Sequence, residues 1–100
     1  MARIKMEKSS GNIFRDIGFS REESASLLIR ADLMITLSQL IKKRKLTQAE
    51  AARLLGVTQP RISNLVGGKI ELFSIDTLID MIHRAGGTVK VTVRRAAKAA

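Results

Sequence analysis

Between Glu22 and about Arg44, apolar side chains recur at Leu27, Leu28, Ala31, Met34, Ile35, Leu37, Leu40 and Ile41. That spacing predicts one long amphipathic helix with a broad buried face. Ser20-Arg21-Glu22-Glu23 has the form of a capping box at its start: the serine oxygen can accept from the N3 amide while Glu23 reaches back to the cap amide. The run Lys42-Lys43-Arg44-Lys45 ends the helix, where cations complement its dipole and a cluster of charge is most simply a solvated terminus.

Three shorter helices follow. A second capping box, Thr47-Gln48-Ala49-Glu50, opens a helix that passes through Ala51, Ala52, Leu54 and Leu55 and stops at Gly56. Thr58 caps a third helix, Gln59 to about Val66, with Pro60 in the first turn, where a missing amide is tolerated. Gly67-Gly68 close it. Ser74 caps a fourth, Ile75 to Ala85, with Phe73 placed to pack on Leu78 as a hydrophobic staple, His83 and Arg84 in the last turn, and Gly86-Gly87 as the stop.

The period then changes from helical to alternating. Thr88-Val89-Lys90-Val91-Thr92-Val93-Arg94 reads as a strand with its valines on one face, and it is the only convincing strand in the chain. A lone strand cannot satisfy its own backbone. Its partner is the same strand of a second subunit, a strand of another protein, or an N-terminal segment. The expected organisation is an N-terminal arm and docking segment over 1–19, a four-helix domain over 20–87, a strand at a dimer contact over 88–95, and a tail over 96–100. Within the first of these, Met1 to Asn12 is a polar, basic arm. Ile13, Phe14, Ile17 and Phe19 would dock, either on the domain's own long helix or on a partner.

Composition narrows the function. One hundred residues make one domain. A hydrophobic content of 45 % with only three aromatic residues calls for a core of Leu, Ile, Val and Ala, which suits packed helices. The net charge of +9 draws polyanions: duplex DNA, RNA, or an anionic membrane or acidic protein. No run of eighteen apolar residues exists, so no membrane span is expected. Met1 to Lys8 has no hydrophobic region behind it and is not a signal peptide, so the cytoplasm is the expected compartment. The absence of cysteine excludes disulfides, thiolate zinc sites and thiol catalysis. The single histidine, His83, has no motif around it to make a catalytic site, so no enzyme, cofactor or metal is expected. Sequence-specific RNA modules stack bases on aromatic side chains, and there is no Tyr or Trp here. The basic residues are scattered and form no single amphipathic basic face of the kind that binds membranes.

The chemistry is legible in LTQAEAARLLGVTQPRISNLVGGK. Two helices joined by a tight turn need a small residue at their closest approach (Ala52), positive φ at the turn (Gly56), and apolar residues at the inward positions. Ala51, Leu55, Val57, Ile62 and Leu65 fill those positions. Outside remain Gln59, Pro60, Arg61, Ser63 and Asn64, with Thr58 at the cap. These include side chains of the kind that bond base edges and phosphates: Gln or Asn with adenine, Arg with guanine. Gln48 can bond a phosphate beside the helix amides, and Lys69 adds a charge near the backbone. The candidate DNA contacts are therefore Gln48, Thr58, Gln59, Pro60, Arg61, Ser63, Asn64 and Lys69.

With that motif, with SSGNIFRDIGF and Ser20-Arg21-Glu22-Glu23 before it and GGTVKVTVRR after the fourth helix, the chain resembles the lambda-repressor-like helix-turn-helix family, also called the XRE family. More narrowly it is similar to the HigA-type antitoxin branch, over Ser9 to Arg95. The resemblance implies an all-α helix-turn-helix bundle with one appended C-terminal β-strand, operator binding as a homodimer, repression of its own operon, and a RelE/HigB-like ribonuclease toxin as partner. By position, Gln48 would anchor to phosphate, and Gln59, Pro60 and Asn64 would face bases with Arg61 beside them. Pro60 departs from the usual polar residue and leaves only an apolar contact there, such as a thymine methyl. A stand-alone repressor with no toxin is the alternative. Two paired subunits would set their recognition helices roughly 34 Å apart.

Overall fold

The computed structural model describes residues 3–6 and 21–94. The Ser20 cap, the apolar group from Ile13 to Phe19 and the tail over 96–100 lie outside the described residues. In chain order the described elements are β1 (Arg3–Met6), α1 (Arg21–Lys43), α2 (Gln48–Leu55), α3 (Gln59–Val66), a 3-10 turn (Ile70–Leu72), α4 (Ile75–Arg84) and β2 (Thr88–Val91).

α1 is the spine on which the shorter helices pack. Its buried stripe runs through Leu27, Leu33, Met34, Leu37 and Ile41, and it meets Leu55 of α2, Ile62 and Leu65 of α3, Phe73, and Leu78, Met81 and Ile82 of α4. Two positions differ from the expected face. Leu33, outside the expected set, is fully buried, and Ile35, within it, is 54 % exposed. At 3.6 residues per turn Ile35 lies roughly 140° round the helix from the middle of the stripe. There it lines a shallow hollow with Val66, between α1 and the end of α3. By length and composition alone α1 could cross a bilayer, since Glu23–Lys43 has a mean hydropathy of 1.3. Its most apolar stripe, however, forms the core of the domain.

Each described helix ends in the same way. In the Schellman arrangement a residue in left-handed conformation lets the next amide reach back to the carbonyl five residues earlier. Leu46 N–H donates to Ile41 O at 3.0 Å, Val57 to Ala52 at 3.0 Å, Lys69 to Asn64 at 3.0 Å and Gly87 to Ile82 at 2.9 Å. The left-handed residues are Lys45, Gly56, Gly68 and Gly86, with φ of 55°, 71°, 74° and 87°. Glycine thus supplies the turn at three helix ends, and a lysine at the other.

The strand prediction needs one correction. β2 forms as expected, but Arg3–Met6, read as part of a polar arm, is a strand, and it pairs with β2 in parallel. The register sets Arg3 against Thr88, Ile4 against Val89, Lys5 against Lys90 and Met6 against Val91. Of the three candidate partners for β2, the N-terminal segment therefore takes one edge. Arg-Ile-Lys-Met repeats the alternation of Thr-Val-Lys-Val, but four residues are too few to tell a strand from a basic tail by pattern alone.

Candidate nucleic-acid interface

α2 and α3 form a hairpin of helices around a small shared core. Ala51, Leu55 and Ile62 are fully buried, and Ala52 and Leu65 nearly so, while Val57 is partly buried against the same cluster. Gly56 meets the turn's demand for positive φ, and the Arg84 side chain of α4 lies across it, near enough that an added Cβ would displace the arginine's flexible end. Arg84 is held on its own helix by Asp80, Nε to Oδ2 at 2.9 Å.

The first turn of α2 is built as expected. Glu50 N–H donates to Thr47 Oγ1 at 3.1 Å, and Thr47 N–H donates to Glu50 Oε1 at 2.8 Å. The Thr47 backbone amide, with the Thr47 hydroxyl second, holds the Glu50 carboxyl below the ordinary glutamate range. Gln48 is exposed on this turn, beside amides that the capping box has already fixed in place.

At the start of α3 the cap works differently. Thr58 occupies the N-cap, but its hydroxyl makes no capping bond. A cap side chain accepts from the second or third helical amide. The second helical residue is Pro60, which has no amide hydrogen, and the third, Arg61, donates its N–H to the Thr58 carbonyl at 3.1 Å. Thr58 is exposed. Gln59, Pro60 and Ser63 are exposed beside it and Asn64 is half-buried, while Ile62 and Leu65 anchor the opposite side of the helix. Lys69 is exposed immediately beyond the helix end.

Arg61 is placed elsewhere. Its Nη1 donates to the Leu72 carbonyl at 2.9 Å, and its guanidinium lies 4.3 Å from the centre of the buried Phe73 ring. It is half-buried, with its guanidinium engaged within the domain. Arg30 of α1, outside the candidate set, holds the same segment. Its Nη1 donates to Ile70 O at 3.4 Å and to Phe73 O at 3.5 Å. The two arginines fix the 3-10 turn that follows α3. A sequence signal for Arg30 did exist: it sits between Leu27 and Met34 at helical spacing, a charged residue within an apolar stripe.

The face that remains is a short, firmly seated helix whose outward side chains are small, polar and close together. Such a helix fits the major groove of B-form DNA, about 12 Å wide, where amide and hydroxyl groups can read base edges. A family profile described as "helix-turn-helix domain" matches residues 13–94. The chain belongs to the helix-turn-helix domain family. Within that family its bundle is XRE-like, four described helices with an appended C-terminal strand. One similar solved structure carries the name XRE-family transcriptional regulator. It is 28 % identical, covers 75 % of this helix-turn-helix protein and 84 % of its own chain, and superposes with a TM-score of 0.68. No curated protein gives a significant sequence match.

Proposed function

We propose that this helix-turn-helix protein is a sequence-specific DNA-binding transcriptional regulator that sets α3 into the major groove of an operator. The observation that carries the reading is the outward face of Thr58, Gln59, Pro60, Ser63 and Asn64, backed by the buried Ile62 and Leu65. Gln48 bonds a phosphate from the start of α2, and Lys69 neutralises another beyond the end of α3. Gln59 and Asn64 read base edges, Ser63 and Thr58 add hydroxyl contacts, and Pro60 offers an apolar contact to a thymine methyl. Two copies act together on a near-palindromic site, with no cofactor. The net charge of +9 supports the electrostatic part of this reading.

The finer role is that of an antitoxin that represses its own operon and neutralises a RelE/HigB-like toxin. Its support is the resemblance of the flanks, SSGNIFRDIGF and GGTVKVTVRR, to HigA-type proteins.

Selection from randomised duplexes, followed by footprinting, tests the DNA reading. A near-palindromic consensus protected on two successive turns is expected, and no enrichment over random sequence would overturn it. Purification of the tagged protein from its host in high salt tests the finer role. A small RelE-like protein should remain bound. Recovery of the protein alone would leave a stand-alone repressor.

A further inference from the structure

β2 and the residues just after it carry an apolar face that the described residues leave uncovered. Along an extended strand Val89, Val91 and Val93 share one side. Val89 is partly buried against the core, but Val91 is 65 % exposed and Val93 is 89 % exposed. β1 occupies one edge of β2, and among the described residues no other strand pairs with it. Two four-residue strands make a ribbon that is marginal by itself. An unpaired edge beside an uncovered apolar face is the surface on which a further strand adds.

We infer that the segment Thr88–Arg94, β2 together with the three residues that follow it, pairs along its free edge antiparallel with the same segment of a second copy about a two-fold axis at Val91, extending β2 and giving a continuous sheet in the order β1-β2-β2-β1. The sequence of the strand selects both occupant and register. In an antiparallel pair, side chains directly opposite each other lie on the same face. A register shifted by one residue would set valines against Lys90 and Thr92 and mix the two faces. Three registers remain that keep valine opposite valine near the middle of the strand. Centring on Lys90 sets Lys90 against its own copy, and centring on Thr92 sets Lys90 against Arg94. Both add a like-charge pair to the Lys5–Lys90 pair that the β1–β2 register already holds, and such pairs destabilise strand association. Centring on Val91 sets Val91 against Val91, Val89 against Val93, Lys90 against Thr92 and Thr88 against Arg94. Between the two copies of the strand every valine then meets a valine, and no cation is set opposite a cation. The strand is thus complementary to itself in one register, which a chain of net charge +9 needs if two copies are to approach. This pairing deepens the dimeric reading above and rests on it, but it does not depend on what the dimer binds.

The chain has no cysteine, so single substitutions report the register directly. Directly opposite residues have Cα atoms about 4.5–5.5 Å apart, within the usual disulfide range of about 4.4–6.8 Å. The two copies of Lys90 would be roughly 8 Å apart, too far to bridge. Mild oxidation of the full-length Val91→Cys protein, in the absence of DNA, should convert most of it to a disulfide dimer. Lys90→Cys should stay largely uncross-linked. An equal mixture of Val89→Cys and Val93→Cys should yield the mixed dimer in excess over either homodimer, with circular dichroism confirming that each variant is folded. Equal cross-linking of Val91→Cys and Lys90→Cys overturns the register. A wild-type dimer by sedimentation with Val91→Cys unlinked would place the subunit contact elsewhere, and a wild-type monomer at tens of micromolar would remove the occupant. Operator binding is assayed separately on the wild-type protein, so failure of this interface and failure of the DNA reading are told apart.

Discussion

Arg61 and Gln59 stand two residues apart on α3 in different surroundings. The Arg61 guanidinium is bonded to the Leu72 carbonyl and lies against the Phe73 ring, whereas Gln59 is exposed at the start of the helix. A charged hydrogen bond contributes about 1.5–3 kcal/mol and a cation–π contact about 0.5–1 kcal/mol at exposed sites. Because Arg61 is only half-buried, the lower part of that range applies. Arg61→Ala should therefore destabilise the fold by about 1–2 kcal/mol in urea denaturation while leaving the selected consensus unchanged. Gln59→Ala should do the reverse: near-wild-type stability, with discrimination at one base pair weakened by about 1–3 kcal/mol. A changed consensus with unchanged stability for Arg61→Ala would return that residue to the reading face. The sequence could not separate these roles, because both residues are polar and follow the same cap. What assigns Arg61 is the carbonyl of Leu72, eleven residues further on, in a turn whose path depends on tertiary packing.

The helix ends show where local chemistry decides and where it does not. Thr47-Gln48-Ala49-Glu50 and Ser74 were legible because a cap is a contact between near neighbours, and the capping bonds at both are present. Thr58 has the same residue type as Thr47, but its hydroxyl is not used in capping, and the Arg61 amide that could reach it bonds the Thr58 carbonyl instead. At the C-terminal ends, Gly56, Gly68 and Gly86 were read as stops, whereas Lys45 was read only as part of a charge run. Lys45 in fact takes the left-handed position, with φ of 55°. Left-handed backbone costs a side-chain-bearing residue about 1–2 kcal/mol, partly offset by the greater freedom of glycine when unfolded. Lys45→Gly should stabilise the protein by several tenths to about 1 kcal/mol, read as a raised midpoint in thermal or urea unfolding. At the other end of the same loop, the Glu50 carboxyl is held below its ordinary range chiefly by the Thr47 amide. A group whose pKa is lowered on folding adds stability above its unfolded pKa and loses it as pH falls through the folded one. The start of α2 should therefore weaken on acidification through that window, and Glu50→Gln should abolish this part of the pH dependence. In an NMR titration Thr47→Ala should shift Glu50 only part of the way back, since the backbone donor remains.

At the scale of the whole molecule, the fold was more legible than its closure. Helix order, the inward residues of α2 and α3, and the final strand follow from period and caps, which are local. The pairing of β1 with β2 joins residues more than eighty positions apart, and four residues at the start of the chain carry too little pattern to announce it. The charge is likewise a whole-molecule property, and it sets how binding responds to salt. Each phosphate neutralised by Lys or Arg releases counterions and adds about −0.9 to the slope of log K against log salt. Gln48, Gln59, Ser63 and Asn64 are uncharged and contribute no such term, so the slope counts cations such as Lys69 and not the reading face. For a dimer on its operator, Lys69→Ala should make the slope shallower by about 2, one per subunit, and weaken selected and random duplexes to the same degree. Gln59→Ala should leave the slope unchanged and weaken only the selected duplex. Fluorescence anisotropy titrations over a range of potassium chloride concentrations separate the two. If Lys69→Ala left the slope unaltered, the end of α3 would lie away from the DNA backbone, and the docking of that helix would have to be redrawn about its first turn alone.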